Sequence, residues 1–565
     1  MPTQPEEDIL YFALENAITY QGKTKVDKII SRLIAKDPKN RQKLKELLPI
    51  IKKIVDEVNL LTPSEQRSRL LKINPKALDK KVKQEEKLTL PPLPNWKGKV
   101  RTRFAPNPSG APHIGYIRPI YICYEYAKMY SGEFILRLED TDPKTKKPIL
   151  EAYDWMPEYC KWLGAPPDEF YIQSERLEIY YDYATQLIEK QGAYVCTCNQ
   201  DTLKKNRLAK KACEHRNYSI QKNLELWKVM LDGGFKEGEA ILRIKTNIRH
   251  KNPSIRDWPA FRVLDTTHPR LKQKHYVWPL YNFSATIDDH LMKITHVFRM
   301  VEHIINTQKQ MYIYNYFNWK PPIFMEFGSL MVQGMPFHKS EINKFMKENN
   351  TSDYSDVRLP TLLALKKRGF QPQALRKYAL SLGLSPINAF MDWDRLAKYN
   401  REEIDNSAPR YYFIPSPIKA QLYGLKSQEV KLKKHPTNLE LGARKLKVIR
   451  DNIFLPILDI ENLKKGDEIR LKDFIKIKFQ DLDLDNNLAK FELSKNQELE
   501  KDETRIQWLP AGEEVKSIIL TPTGENIHGL VESSALDYKD VLQFERVGFV
   551  KLDNKRTATF LWTHK

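Results

Sequence analysis

The fold is decided by the stretch Val100-Arg-Thr-Arg-Phe-Ala-Pro-Asn-Pro-Ser-Gly-Ala-Pro-His-Ile-Gly-Tyr116. It predicts a short strand, then a turn rich in proline and glycine, and then a helix that runs to about Tyr130. Ser131-Gly132 ends that helix, and Glu133-Phe-Ile-Leu-Arg-Leu138 predicts the next strand. A strand, a turn, a helix and a second strand in this order form a βαβ unit, so the sequence predicts an α/β chain with a parallel sheet.

The segments on either side of this unit have different patterns. Residues 6–60 carry apolar positions at helical intervals and predict helices, and the prolines of Leu90-Pro-Pro-Leu-Pro94 predict a stiff linker that ends near residue 95. Residues 196–280 are basic and rich in turns, and a sheet pattern returns after them. Residues 360–400 predict helices, and the alternation beyond about 415 predicts antiparallel β structure, such as barrels.

The composition excludes several protein classes. Of the 565 residues, 41% are hydrophobic and 29% are charged, a balance typical of a globular chain rather than of a disordered or collagen-like one. No stretch approaches the roughly 20 uncharged apolar residues that a membrane span needs, and the acidic start Met1–Asp8 does not resemble a secretory signal. All five cysteines lie within residues 123–213, which excludes a disulfide framework spread over the chain and predicts a cytoplasmic location.

The charge is strongly basic and unevenly distributed. Lys and Arg number 93 against 72 Asp and Glu, a net charge of +21. Residues 201–300 carry 20 basic and 10 acidic side chains, whereas residues 101–200 carry 11 and 14. A surplus concentrated in one segment predicts a docking face for a polyanion, and nucleic acid is the usual one. The alternative is a lysine-rich surface without a binding role.

Two clusters of residues indicate candidate binding sites by their residue types and spacing. His113 and Gly115 lie at the mouth of the helix that follows the first strand, where free backbone N–H groups and positive potential suit a triphosphate. Cys196-Thr-Cys198 and Cys213-Glu-His215, separated by fourteen residues, offer four ligands of the type that tetrahedral zinc takes. The alternative for the second cluster is three reduced cysteines that only pack.

Several segments together resemble one family. They are Arg103–Tyr116, Phe134–Pro143, Tyr171–Ser174, Ile255–Pro259, Val277–Asn282, Asp288–His290, Arg358–Thr361 and Gln543–Val550. The set is similar to the signature regions of class I glutamyl-tRNA synthetases, most closely to their archaeal and eukaryotic branch, and the similarity covers nearly the whole chain. The run Arg137-Leu-Glu-Asp-Thr-Asp-Pro143 favours the glutamyl over the related glutaminyl enzymes.

The resemblance implies a two-step reaction. The α-carboxylate of glutamate attacks the α-phosphorus of ATP, which acts with Mg²⁺, and the glutamyl group of the resulting adenylate then passes to the terminal ribose of tRNA. His113 matches the first histidine of the family's HIGH motif, and Lys339 and Ser340 match the end of its KMSKS motif. By this resemblance His113 and Lys339 are the catalytic residues. Gly115, Tyr116 and Ser340 complete the ATP-binding set.

The resemblance also implies a glutamate site. Glutamate needs cations for its two carboxylates and an anion for its ammonium group. By resemblance, Arg103 and Arg299 bind the carboxylates, and Tyr281 supplies an orienting hydroxyl. Glu139 binds the ammonium group.

The family's architecture implies a split Rossmann-like class I catalytic domain with further domains around it. The predicted segments are an N-terminal helical appendage and linker at 1–95, the first half of the catalytic domain at 96–195, an acceptor-stem-binding insertion with a structural zinc knuckle at 196–280, the second half of the catalytic domain at 281–345, a helical connecting domain that contacts the stem at 346–414, and an antiparallel β-barrel anticodon-binding region at 415–565. The implied partners are tRNA(Glu) and L-glutamate, and the N-terminal helices are a candidate surface for a partner protein.

Several positions depart from the family pattern. Tyr116 stands in place of the second histidine of the HIGH motif, and in the second signature His338 and Glu341 stand where a serine and a lysine are expected. Met300 and Glu302 replace a glycine and an aspartate. Three functions stay open at this point. They are an active glutamyl-tRNA synthetase, with or without the ability to charge glutamine tRNA, a glutaminyl-tRNA synthetase, and a tRNA-binding relative that has lost adenylation.

Overall fold

The computed structural model describes residues 4–19, 22–36, 44–74, 88–271, 274–337, 339–449, 452–500 and 503–565. The chain divides into two compact units, Met1–Lys87 and Leu88–Lys565. This division precedes the boundary that the sequence predicts at residue 95. No described helix is both long enough and apolar enough to cross a membrane.

The first unit is helical. Its described helices are α1 (Gln4–Thr19), α2 (Val26–Lys36), α3 (Leu44–Leu60) and α4 (Pro63–Ile73). Their apolar faces, with Ile9 and Val55 among them, bury one another in a common core. The helical pattern predicted for residues 6–60 is thereby confirmed, except for residues 20–21 and 37–43, which lie outside the described residues.

The second unit begins with a parallel sheet. Its first part contains β1 (Arg101–Phe104), α5 (Ile117–Met129), β2 (Glu133–Leu138), α6 (Leu150–Trp162), β3 (Glu169–Ile172) and α7 (Leu177–Glu189). Strand β1 pairs in parallel with β2, and β2 pairs in parallel with β3. The βαβ unit predicted from residues 100–138 is thereby confirmed.

The proline-rich segment before β1 packs against this sheet. Leu90 and Leu93 are buried in the same core as α5 and β2. The Leu93 N–H donates to the Tyr130 hydroxyl at 2.7 Å, and the Tyr126 hydroxyl donates to the Pro91 carbonyl oxygen at 2.9 Å. Residues 88–95 therefore belong to the second unit, because two leucines within the predicted linker find an apolar surface.

An antiparallel sheet is inserted between two stretches of the parallel one. Its elements are β4 (Ala193–Cys196), α8 (Gln200–Ala209), α9 (Ile220–Leu231), β5 (Ile241–Ile244), β6 (Pro259–Val263) and β7 (Val277–Pro279). The strands pair in the order β4-β5-β6-β7, and every pair is antiparallel. A core that the sheet shares with α7, including Trp227, Phe261 and Trp278, supports it.

The parallel pattern returns after the insertion. The elements are α10 (Tyr281–Leu291), β8 (His296–Met300), α11 (Ile304–Tyr316) and β9 (Ile323–Phe327). Strand β8 pairs in parallel with β9. The Thr295 N–H donates to the Arg101 carbonyl oxygen at 2.9 Å, which places β8 next to β1. The parallel strands therefore come from two stretches of chain on either side of the insertion.

A helical region follows and attaches to the turn that carries His113. Its elements are β10 (Leu330–Met331), α12 (Lys339–Glu348), α13 (Leu362–Arg368), α14 (Pro372–Leu382), β11 (Ala389–Phe390) and α15 (Trp393–Ile404). The Ile114 N–H donates to the Pro360 carbonyl oxygen, and the Leu362 N–H donates to that of Pro112, both at 2.8 Å. These bonds hold the loop before α13 against the predicted triphosphate turn.

The C-terminal region consists of two seven-stranded sheets and a hairpin. Its strands are β12 (Arg410–Tyr411), β13 (Phe413–Pro415), β14 (Pro417–Tyr423), β15 (Gln428–Lys433), β16 (Ala443–Val448), β17 (Asn452–Pro456), β18 (Glu468–Leu471), β19 (Lys476–Asp483), β20 (Leu488–Leu493), β21 (Arg505–Ile506), β22 (Leu509–Pro510), β23 (Glu514–Leu520), β24 (Asn526–Glu532), β25 (Val541–Phe544), β26 (Gly548–Asn554) and β27 (Thr559–His564). One sheet has the order β12-β25-β26-β27-β23-β24-β13, the other has the order β21-β18-β19-β20-β14-β17-β22, and β15 pairs with β16.

Strand direction in these sheets differs in part from the antiparallel prediction. Most neighbours are antiparallel, but the pairs β12–β25, β23–β27, β14–β20 and β18–β21 are parallel. An alternating sequence shows which side chains face the core, and this is the same for either direction of the neighbouring strand.

Candidate active site

A cavity of about 920 Å³ opens where the parallel strands end. Phe104 ends β1, Met300 ends β8 and Phe327 ends β9, and all three line the cavity. Ligands of open α/β sheets bind at this edge. The lining includes seven of the residues predicted for ATP or glutamate, namely Arg103, His113, Gly115, Tyr116, Glu139, Tyr281 and Arg299.

His113 lies at the start of the helical segment that leads into α5, and neighbouring groups hold its ring. Its Nδ1 accepts a hydrogen bond from the Gly115 N–H at 3.2 Å, so the neutral ring carries its proton on Nε2. The ring centroid lies 4.3 Å from that of Tyr116 and 4.7 Å from that of Phe337. A Cβ at position 115 would come within 2.9 Å of the imidazole and 3.0 Å of Phe337, so this close packing requires glycine.

Tyr116, which departs from the HIGH pattern, lines the cavity as a phenol. Its ring packs edge-on against Phe104 with centroids 5.2 Å apart. Burial raises the pKa of Tyr116 to about 12. The hydroxyl therefore stays protonated at neutral pH and can donate a hydrogen bond.

The second signature begins helix α12. The helix starts at Lys339, Ser340 is exposed, and the cavity lining includes Ile342 and Asn343 but not Ser340. The side chain of Lys339 and the whole of His338 lie outside the described residues. The structure thus brings the first turns of α12 to the cavity that contains His113.

Glu341 has a structural role at the start of α12. Its Oε2 accepts a hydrogen bond from the Phe337 backbone N–H at 2.9 Å. A carboxylate in the first turn is also favoured by the helix dipole. Because Phe337 packs against His113, Glu341 helps to hold the second signature against the first.

Buried charges form a chain along one wall of the cavity. Arg103 Nε donates to Asp289 Oδ1 at 3.0 Å, and Arg137 Nη1 donates to the same oxygen at 2.8 Å. Arg137 Nη2 donates to Glu139 Oε1 at 3.0 Å. Burial alone would raise the pKa of Asp289, but Arg103 and Arg137 outweigh burial and keep this pKa below its ordinary value. Burial dominates for Glu139 and raises its pKa, although Arg137 and Arg103 oppose the shift.

Neither Arg137 nor Asp289 is among the site residues predicted from the sequence. Arg137 lies in β2 and is fully buried, and Asp289 lies in α10 and is 1% exposed. An arginine inside an apolar strand and adjacent acids inside an apolar helix are a usable signal, because buried charges are paired in folded proteins. The signal does not say which residues pair.

Arg299 is a buried cation with only neutral hydrogen-bond partners among the described residues. Its Nη1 donates to Gln310 Oε1 at 3.1 Å, and its Nη2 donates to the Thr307 hydroxyl. The guanidinium lies over the ring of Phe324, 4.6 Å from its centroid. Its Nε is buried without a hydrogen-bond partner. Such a guanidinium is suited to an anion that enters the cavity.

Tyr281 and His303 line the cavity together with Arg299. The rings of Tyr281 and His303 lie 5.7 Å apart between centroids. Burial raises the pKa of Tyr281, so its hydroxyl stays protonated. Burial first, and then Arg299 and Arg103, lower the pKa of His303 to about 4. His303 is therefore neutral at pH 7, and it adds no positive charge to that of Arg299.

The four predicted zinc ligands come together at the start of the antiparallel sheet. The ligand atoms of Cys196, Cys198, Cys213 and His215 all lie within 4.8 Å of one another. The Sγ atoms of Cys196 and Cys213 are 3.7 Å apart, and Cys198 Sγ is 3.3 Å from His215 Nδ1. Tetrahedral zinc, with Zn–S of about 2.3 Å and Zn–N of about 2.0 Å, spaces its ligand atoms roughly 3.5–3.8 Å apart. The Cys196–Cys213 separation matches this spacing, and three sulfur atoms with one imidazole are a donor set that zinc takes.

Neighbouring groups orient this cluster. Thr197 Oγ1 lies 3.0 Å from His215 Nε2, and the other ring nitrogen, Nδ1, faces the sulfur atoms. Arg243 Nη1 lies 3.9 Å from the Sγ atoms of both Cys196 and Cys213. The hydrogen bond with Cys196 lowers the pKa of Cys213. Arg243 can therefore offset the negative charge of thiolates at this point.

The chain matches two family profiles. The profile "tRNA synthetases class I (E and Q), catalytic domain" matches residues 99–406. The profile "tRNA synthetases class I (E and Q), anti-codon binding domain" matches residues 408–496. The first match spans more than half of the chain and contains the cavity and the Cys/His cluster.

Similar proteins match over nearly the full length of the chain. A glutamate–tRNA ligase of Pyrococcus furiosus is 43% identical over 558 residues, which are 97% of each chain. Those of Thermococcus kodakarensis and Methanocaldococcus jannaschii are both 40% identical and cover 99% and 98% of this chain and 99% of their own lengths. A solved glutamate tRNA ligase from Elizabethkingia meningosepticum matches 54% of this chain and 70% of its own, with 22% identity and a TM-score of 0.39.

Proposed function

The chain belongs to the class I tRNA synthetases of the glutamate and glutamine type, and we propose that its cavity forms glutamyl-adenylate from L-glutamate and ATP. Its similarity to archaeal glutamate–tRNA ligases, which extends over nearly the full length, makes it an enzyme that ligates glutamate to tRNA. These relatives give no support to the glutaminyl alternative. ATP with Mg²⁺ is general for class I synthetases.

The observation that carries the proposal is the buried guanidinium of Arg299. Its hydrogen-bond partners in the described residues are neutral and its Nε is unused, so an entering carboxylate can pair with the full charge. Arg103 lines the same cavity and would take the second carboxylate, and Tyr281 would orient one of them through its hydroxyl. A neutral glutamine amide would leave the cation of Arg299 unpaired, which disfavours it.

We assign the ammonium group of glutamate to Glu139. Glu139 lines the cavity and binds Arg137 through Oε1, so Oε2 would face the ammonium group. Its backbone is fixed from two sides. The Glu139 N–H donates to the Pro106 carbonyl oxygen at 2.9 Å, and Asn107 Nδ2 donates to the Glu139 carbonyl oxygen at 2.5 Å. A fixed backbone would fix the Glu139 carboxylate, and so the position of the substrate ammonium group relative to the substrate carboxylates.

The first step needs positioning and charge stabilisation rather than covalent help from the protein. The α-carboxylate attacks the α-phosphorus, the bond to the bridging oxygen breaks, and pyrophosphate leaves. The Nε2–H of His113, the Tyr116 hydroxyl and the backbone N–H groups that open α5 would bind triphosphate oxygens. Lys339 would neutralise charge on the pyrophosphate, with Ser340 beside it. A terminal ribose hydroxyl of tRNA then attacks the acyl carbon, and AMP leaves.

The remaining regions have proposed roles in binding tRNA. The insertion, predicted at 196–280, would bind the acceptor end through its basic side chains, and the helical region at 346–414 would contact the stem. The C-terminal sheets would close as barrels and read the anticodon of tRNA(Glu). The N-terminal helices remain a candidate site for a partner protein. The reduced cysteines and a role in translation favour the cytoplasm.

We expect exchange of pyrophosphate into ATP that depends on glutamate, in the presence of tRNA(Glu). His113→Ala should lower the rate about 10²–10³-fold, because a preorganised donor to the triphosphate is lost. Tyr116→Phe should lower it about tenfold, which is the loss of one hydrogen bond.

Tyr124→Phe on α5 is the matched control, since Tyr124 is not among the cavity-lining residues. Equal exchange with glutamine would contradict the glutamate assignment. Absence of exchange with either amino acid, in a protein that still binds tRNA, would identify a relative that has lost adenylation.

We further propose that the Cys/His cluster holds a structural zinc ion. The donor set suits zinc, the four ligand atoms lie close together, and Thr197 lies 3.0 Å from Nε2 of the histidine ligand. When bound, zinc would link β4 to the segment that begins at Cys213. The metal would stabilise the folded insertion, because the same ligands are dispersed in the unfolded chain.

Protein purified without chelator should contain near-stoichiometric zinc, measured by elemental analysis. Cys213→Ser should lose the metal and lower the melting temperature by several degrees. Cys160→Ser should retain the metal, because Cys160 is buried in another core and is not part of the cluster. A metal-free wild type that melts at the same temperature with and without added zinc would refute the site.

A further inference from the structure

We propose that His268, which the inserted sheet supplies, is a positioning residue for the glutamate half of the cavity. It holds the turn Glu139-Asp140-Thr141-Asp142 through the carbonyl group of Asp140. The proposal rests on the proposed function, since it takes Glu139 as the partner of the substrate ammonium group.

Both ring nitrogens of His268 are used. The residue is 5% exposed and lies in the connection between β6 and β7. Its Nδ1 accepts a hydrogen bond from the Arg270 backbone N–H at 3.2 Å, so the proton of the neutral ring is on Nε2. Nε2 then donates to the Asp140 carbonyl oxygen at 3.1 Å, and the same nitrogen lies 3.4 Å from Asp140 Oδ2. The ring stacks on Trp278, with centroids 5.5 Å apart and planes at 22°. These contacts leave the imidazole one orientation.

Asp140 holds the turn in place and does not itself line the cavity. Its carboxylate accepts hydrogen bonds from the Tyr153 hydroxyl at 2.7 Å, the Ser174 N–H at 2.7 Å and the Ser174 hydroxyl at 2.6 Å. It is fully buried, whereas its neighbours Glu139 and Thr141 line the cavity. Asp142 of the same turn lines the cavity too, so fixing Asp140 fixes the part of the turn that faces the substrate.

Two more residues of the insertion contact the same region. Arg262 on β6 pairs with Asp142, with Nη2 and Oδ1 2.6 Å apart. The guanidinium of Arg270 lies over the ring of Tyr153 at 4.5 Å, and it also binds Glu175. The insertion thus contacts the turn directly through His268 and Arg262, and indirectly through Arg270 and Tyr153, and His268 is the buried residue that bonds to the backbone of the turn.

This arrangement predicts an effect on glutamate and not on ATP. If the Asp140 carbonyl loses its donor, the peptide between Asp140 and Thr141 can rotate, and the resulting shift of the turn would move the Glu139 carboxylate relative to Arg299. The residues proposed for the triphosphate are held elsewhere, by the hydrogen bonds that join Ile114 to Pro360 and Pro112 to Leu362. The KM for glutamate should therefore rise while the KM for ATP stays unchanged.

The test compares His268→Ala with His268→Gln in pyrophosphate exchange with tRNA(Glu) present. Glutamine can place its amide Nε2 where the imidazole Nε2 lies, so it keeps the donor to Asp140. We expect His268→Ala to raise the glutamate KM about tenfold with ATP KM unchanged, and His268→Gln to restore it to within about threefold of wild type. The control is His275→Ala, since His275 lies in the same connection and contacts Trp278 edge-on at 6.2 Å.

Each other outcome is decisive. An unchanged glutamate KM in His268→Ala overturns the proposal, and so does an equal rise in the KM values for glutamate and ATP. Equal rises in the glutamate KM in His268→Ala and His275→Ala would show a purely structural role and overturn it as well. Failure of the wild type to exchange with glutamate overturns the proposed function itself, so the two failures are distinguishable.

Discussion

Arg299→Leu should lower the kcat/KM for glutamate by about 10²–10³-fold, roughly 3–4 kcal/mol, while the KM for ATP stays within about twofold of wild type. The reason is that the buried guanidinium meets only neutral groups in the described residues, so its charge is available to a substrate carboxylate. Pyrophosphate exchange at varied glutamate and at varied ATP measures both quantities.

The fold should survive this substitution. Leucine leaves the Oε1 of Gln310 and the hydroxyl of Thr307 without their donor, which costs about 1–3 kcal/mol, but it leaves no buried charge unpaired. Arg299→Lys is the matched variant, because it keeps the charge and loses the planar guanidinium. Its kcat/KM for glutamate should lie between that of Arg299→Leu and that of the wild type. An unchanged glutamate kcat/KM in Arg299→Leu would exclude Arg299 from the glutamate site.

Asp289→Leu should destabilise the second unit by about 3–5 kcal/mol or more, because it leaves two buried guanidinium groups without their shared carboxylate. Those groups belong to Arg103 and Arg137, which are 4% and 0% exposed. Urea denaturation followed by circular dichroism at neutral pH measures the effect. The control is Asp265→Leu, because Asp265 forms an exposed ion pair with Lys274 and its loss should cost less than about 1 kcal/mol.

Asp289→Asn separates the charge from the hydrogen bonds. The folded-state pKa of Asp289 lies below its ordinary value because the two arginines outweigh the effect of burial. Its contribution to stability is therefore fully present above the unfolded pKa near 3.9 and is lost as the pH falls through the folded pKa. The difference in free energy of unfolding between wild type and Asp289→Asn should be full at pH 7 and shrink below about pH 4. A difference that is independent of pH would contradict a charged Asp289.

The sequence alone was sufficient to predict those helices and strands whose residue pattern is local. The period of apolar residues in 6–60 and the strand–turn–helix–strand order of 100–138 predict helices and a βαβ unit, and both are present. Side-chain direction in helices and strands depends on near neighbours, so it can be read from spacing. The direction of the β14–β20 pair could not be read, because the strands are far apart in sequence and alternation is the same for both directions.

The candidate site also has features that the sequence predicted and features that it could not predict. Motif resemblance alone listed Arg103, Glu139, Tyr281 and Arg299 as the glutamate residues, and the structure brings all four to one cavity. Cys196, Cys198, Cys213 and His215 could be grouped from spacing, since all four lie in one short segment that the fold closes on itself.

What the sequence by itself determined is therefore a set of candidate side chains and the order of the elements that carry them. Only the tertiary structure decided how the buried charges are shared. Arg137 and Asp289 are 152 positions apart, yet Asp289 pairs with Arg103 and Arg137, and Arg299 is left with neutral partners. The physical reason is that pairing and pKa depend on burial and on charges a few ångströms away, which distant strands and helices supply only after the chain has folded.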